Sequence, residues 1–188
     1  MANNEQETNG SPAALADGLR AAMLAEFAKY DGRSTTILSE ISARHRNRAG
    51  FLEALIELAG DNDRMISEGV TWILKSELDA GRRLDEDLTA RLIAAIDKVT
   101  AWQAQLHICQ IIAHLEVPER ARVPLRQWLI QRLDSDRPFL RAWALDGLCH
   151  LPDTPVGAFL DRMADDPSAS VRARVRNLRR QLARHGRG

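Results

Sequence analysis

Apolar residues recur at intervals of three and four along nearly the whole chain, and the alternation that marks a strand is absent. That pattern predicts helices throughout. A polar stretch at 1–10 is expected as a flexible tail. Ser11-Pro12 then reads as a helix start, a capping side chain followed by proline in the first turn. Leu15, Leu19, Met23 and Phe27 make one face, ending near Asp31-Gly32, and a short helical segment follows at 35–45. The next helix carries Phe51, Leu52, Leu55, Ile56 and Leu58 and stops at Gly60-Asp61.

From Asp63 the apolar positions are Ile66, Val70, Ile73 and Leu74, with Gly81 as terminator. Residues 85–98 supply Leu88, Leu92 and Ile96, and Thr100 is expected to cap a strongly apolar helix running to Leu115. Pro118 and Pro124 are expected to bound a turn before a helix at 125–133. Three more helices are expected at 137–151, 154–163 and 168–184. About ten helices with short connections suit antiparallel packing.

Two stretches near the C-terminus resemble each other, LDSDRPFLRAWALDGL (133–148) and MADDPSASVRARVRNL (163–178). Each is an Asp-rich turn leading into a helix. Leu140-Arg141-Ala142 aligns with Val171-Arg172-Ala173, 31 residues on. Fainter copies lie upstream: Ile112-Ala113-His114-Leu115 resembles Leu148-Cys149-His150-Leu151 at an offset of 36, and Leu78 falls 37 before Leu115. A unit of that length cannot bury its own apolar face, so repetition points to a stack of helical hairpins. A plain helical bundle has similar apolar spacing; the repeated turn and arginine favour the stack.

The stretches 134–148 and 165–178 look like the second-helix regions of HEAT-like repeats. The resemblance is clearest over 100–184. It implies an all-α, right-handed stack of antiparallel helical hairpins, an α-solenoid of about ten helices. It also implies that Asp134 or Asp136 with Arg141, and Asp165 or Asp166 with Arg172, fasten the stack. A single domain over 11–188 follows, with 11–60 as a non-repeat cap and 61–188 as repeat units. Stacks similar to this one include DNA-binding members, among them base-excising glycosylases. Such an enzyme needs a carboxylate in a groove rimmed by aromatic and basic groups, and Asp146 near Trp143 is the candidate.

Composition adds limits. The 188 residues carry 26 basic and 26 acidic side chains, a formal net charge of zero that counts against a dedicated DNA binder. The charge is unevenly placed: residues 1–100 hold 17 acids and 12 bases, residues 101–188 hold 9 and 14. No transmembrane span or signal peptide is expected. The two cysteines, Cys109 and Cys149, lie in apolar helical patterns and read as small buried hydrophobes. A cytoplasmic setting is expected.

Candidate chemistry is sparse. His107, Cys109 and His114 cluster in sequence, but a helix turns Cys109 away from the two histidines, and zinc-site spacings are missing. No cofactor or metal is expected, and no nucleophile or phosphate-loop motif occurs. Trp72, Trp102, Trp128 and Trp143 recur about once per late unit. Repeated core positions explain them, or Trp128 and Trp143 anchor a partner in a groove. In the last helix Val171, Val175, Leu178 and Leu182 take one side, and Arg172, Arg176, Arg179, Arg180 and Arg184 the other. Those arginines suit a solvated end cap, an acidic protein partner, or nucleic acid. The reading is a non-catalytic module that binds another protein, with nucleic-acid binding through the arginine face as the alternative.

Overall fold

The computed structural model of the protein describes residues 12–184. Ten α-helices are described: α1 (Pro12–Phe27), α2 (Thr35–His45), α3 (Phe51–Leu58), α4 (Arg64–Asp79), α5 (Glu86–Ala95), α6 (Trp102–Ile111), α7 (Glu119–Arg132), α8 (Pro138–His150), α9 (Val156–Arg162) and α10 (Ala169–Arg184). No strand occurs among the described residues. The architecture is all-α, as the periodicity predicts. The tail at 1–10, the cap at Ser11 and the Leu15 side chain lie outside what is described.

Local chemistry sets many of the boundaries. Asp63 caps α4 by accepting from the Met65 backbone N–H, and Asp85 caps α5 by accepting from that of Leu88. At the end of α4, Gly81 takes φ +99°. Its N–H bonds the Leu78 carbonyl while the Arg82 N–H bonds that of Glu77, closing a Schellman turn that a side chain would strain. Helices α5 and α6 each finish in one 3₁₀ turn, Ile96–Lys98 and Ile112–His114.

Two expected boundaries move. Helix α7 starts at Glu119, directly after Pro118, so Pro124 lies inside it rather than ahead of it. Pro124 is exposed, and water can take the Arg120 carbonyl that lacks an N–H partner there. The residue capping α6 is Ala101 rather than Thr100.

The helices pack in two rows. In one, α2 lies against α4, α4 against α6, α6 against α8 and α8 against α10; in the other, α1 lies against α3, α3 against α5 and α5 against α7. Contacts of α3 with α4 and of α7 with α8 tie the rows together. Both rows supply the buried side chains, among them Phe51, Leu55, Ile73, Leu92, Ile108, Leu125, Leu145 and Val171. At Gly69 helices α1, α2 and α4 meet closely: a Cβ would lie 2.7 Å from Phe27 and 2.9 Å from Leu38.

Candidate interaction surface

Counting from the residue before each of the last four even helices gives a common register: Asp63, Ala101, Arg137 and Ser168 precede α4, α6, α8 and α10. Four residues on, each helix carries a side chain that reaches back to a carbonyl in the preceding turn. Ser67 donates to Ala59 (2.6 Å), Gln105 to Val99 (2.8 Å), Arg141 to Ser135 (2.7 Å) and Arg172 to Asp166 (2.6 Å). The matching offset of 31 residues extends to the turn, where Ser135 Oγ accepts from the Arg137 N–H and Asp166 Oδ1 from that of Ser168.

Arg141 also forms a two-pronged pair with Asp166, Nε to Oδ2 and NH2 to Oδ1, each 2.8 Å. The Arg141 guanidinium, helped by the Ser168 N–H, holds the Asp166 carboxyl below the ordinary range. The carboxylate partner of Arg141 is thus in the following turn, not at Asp134 or Asp136 as the resemblance implied. Arg172 meets the backbone carbonyls of Asp166 and Pro167 rather than a carboxylate. Asp134 pairs with Arg162, and Asp136 and Asp165 are exposed.

A helix advances about 100° per residue, so positions two, six, nine and thirteen after the cap fall within about 60° of one another. On α4 these are Met65, Gly69, Trp72 and Ser76, of which Gly69 is buried against Phe27 and Leu38; on α6, Gln103, His107, Gln110 and His114; on α8, Phe139, Trp143, Asp146 and His150; on α10, Ser170, Arg174, Asn177 and Gln181. This side of the even row is rich in aromatic, amide and imidazole groups. Phe139 is 62% exposed and Met65 40%, while Trp72 and Trp143 are half-buried. Phe139 and Met65 were missed in the sequence. Aligning the helices by their caps would have found them, because both stand two residues past one.

Its charged groups are arranged in local pairs. Arg174 donates to Asp146 (2.9 Å) and lies 4.1 Å from the Trp143 ring centre. His150 approaches the other Asp146 oxygen at 3.5 Å. Asp146, Cys149, His150, Arg174, Leu178 and Gln181 line a cleft of about 630 Å³ between α8 and α10. Burial, with Asp146 nearby, pushes the Cys149 thiol up to about 12, so it is not a ready nucleophile. Asp146 is buried and ion-paired. On α6, His114 pairs with Asp79 at 3.1 Å. His107 Nδ1 meets Thr71 Oγ1 at 3.1 Å, and burial holds its pKa down to about 4. With the Thr71 hydroxyl donating to the Ser67 carbonyl (2.8 Å), the imidazole is the donor to Thr71 and is neutral near pH 7.

Trp128 does not belong to this surface. It is 2% exposed, with Arg132 4.0 Å from its ring centre, because its position on α7 faces the core. Of the two readings of Trp128, the core position fits, and its alternative place on a binding surface as a groove anchor is corrected.

The arginines of α10 divide by direction. Leu178 and Arg174 mark the side facing α8, since both line the cleft there. Arg176, Arg180 and Arg184 are exposed and follow at four-residue intervals on the opposite flank. Arg172 is engaged with its turn, Arg174 with Asp146 and Arg179 with Asp161 (2.6 Å). Arg180 bonds the side-chain oxygen of Asn177. Arg176, Arg180 and Arg184 have no ion-pair partner among the described residues. At the two corresponding positions α8 carries Leu145, fully buried, and Cys149, half-buried, and the third falls beyond its end at Asp153.

No family model, no curated protein and no solved structure matches the chain, so the class it defines is read from its own geometry, an all-helical protein with a mixed aromatic and amide face.

Proposed function

We propose that the chain is a non-catalytic HEAT-like repeat module, a right-handed solenoid of antiparallel helical hairpins, that binds a protein segment across its even-numbered helices. The observation that carries this reading is the shared side of α4, α6, α8 and α10, where Trp72, Phe139 and Trp143 stand among Gln110, Asn177 and Gln181. Aromatic groups with apolar bodies supply burial at little entropic cost, and amides supply hydrogen bonds to a peptide backbone. Packed helices lie about 8–10 Å apart, so four of them span about 27 Å, the reach of some eight extended residues.

The repeated side-chain-to-turn hydrogen bonds at Ser67, Gln105, Arg141 and Arg172 support the stacked-unit reading. The free thiols of Cys109 and Cys149 suit a reducing, cytoplasmic setting. The alternative of nucleic-acid binding, with or without base excision, has less behind it. Four of the six arginines on α10 are hydrogen-bonded by the protein itself, and the Asp146 carboxylate is paired with Arg174.

Affinity capture tests the reading, using wild type, a Phe139→Ser/Trp143→Ser variant and a Val123→Ser control on the other row. One protein held at equal stoichiometry, lost in the double variant and kept in the control, is the expected result. Capture indifferent to the double variant contradicts it. Salt-sensitive retention on duplex DNA, weakened by neutralising Arg176 and Arg180, would move the assignment to nucleic acid.

A further inference from the structure

The open flank of α10 is a second docking surface, and we infer that it takes an acidic amphipathic helix from a partner protein. The chain joins its own helices by setting an arginine of one against a carboxylate of another. Arg91 meets Glu57 at 3.0 Å, Arg120 meets Glu86 at 2.8 Å, Arg174 meets Asp146 at 2.9 Å and Arg179 meets Asp161 at 2.6 Å. On α10 that device is half complete. Arg176, Arg180 and Arg184 form a row at one-turn spacing with no carboxylate opposite them among the described residues. Ala173, half-buried, leaves the flank low beside them.

What selects a helix over a phosphate backbone is the apolar notch beside the row. Val156, Leu160, Leu182 and Ala183 contribute to a cleft of about 210 Å³ between α9 and α10. A helix with carboxylates at one-turn intervals can pair with the arginines and put apolar side chains into the notch. Nucleic acid gains from the arginines and has nothing aliphatic to place there. Docked so, the partner helix occupies the place beside α10 that α10 occupies beside α8. The inference rests on the stacked reading of the fold. It uses none of Met65, Trp72, Phe139 or Trp143.

The test is fluorescence anisotropy of the full chain with a labelled helical peptide of about twenty residues, Glu on one stripe and Leu on the adjoining one. Wild type should bind it, and the Arg176→Glu/Arg180→Glu/Arg184→Glu variant should bind about tenfold more weakly or worse. The corresponding triple Lys variant should retain most of the affinity, with circular dichroism confirming that all three chains are folded. Replacing Leu by Ser in the peptide should weaken binding by a similar factor. The proposal is overturned by an undiminished signal in the Glu variant, by no binding at low salt, or by tighter binding of a duplex DNA of similar length. Phe139→Ser/Trp143→Ser should bind the peptide as wild type does, so failure of the even-row reading and failure of this one are separable.

Discussion

Asp166 shows how one residue can hold two turns at once. Its carboxylate takes both prongs of Arg141 and the Ser168 N–H, while its carbonyl accepts from Arg172. Arg141 keeps its carboxyl ionised to lower pH than usual. A depressed carboxyl pKa stabilises the fold above the unfolded value, near 4, and that contribution is lost as pH falls through the folded value. Asp166→Asn should therefore cost about 2 kcal/mol at pH 7. Denaturant titrations at several pH values should show the gap to wild type closing below about pH 4; a gap constant with pH would remove the ion pair from the account. The sequence displayed this fastener at Arg141 and Arg172 because the residue type repeats. Ser67 and Gln105 do the same work with other donors and so left no repeat to see. The tryptophans carried no such clue: Trp128 and Trp143 differ in which way their helices are turned, and that depends on neighbours distant in sequence.

Helix identity was legible because three- and four-residue spacing, capping side chains and terminal glycines agree over most of the chain. Pro124 was misread because proline ends most helices, yet an exposed position past the first turn tolerates it at the loss of one hydrogen bond. Element packing was less visible. Nothing local in Ser67-Glu68-Gly69-Val70 says that α4 must pass within a side chain's width of Phe27 and Leu38. Gly69→Ala tests that approach directly. A methyl so close to a ring and an isobutyl group forces a shift, and the strain should outweigh the better helix propensity of alanine, destabilising by about 1–3 kcal/mol. A chemical-denaturation midpoint at or above that of wild type would show that α1, α2 and α4 are looser than described.

Across the whole molecule, the sequence placed charge without direction. Its basic C-terminal half and the six arginines of α10 suggested one continuous positive face. In the fold three of those arginines are spent on neighbouring turns and carboxylates, and Arg176, Arg180 and Arg184 lie on the flank beyond α8. The aromatic and amide surface lies a quarter-turn away from that row, shared by four helices that are far apart in the chain. Only the common register of their caps reveals it. Hydrogen–deuterium exchange of the chain with and without its captured protein partner tests this assignment most directly. Partner binding should slow exchange in α6, α8 and α10, strongest around Phe139, Trp143 and Gln181, and leave α3, α5 and α7 unchanged. Protection confined to α3, α5 and α7 would contradict the even-row surface as the binding face.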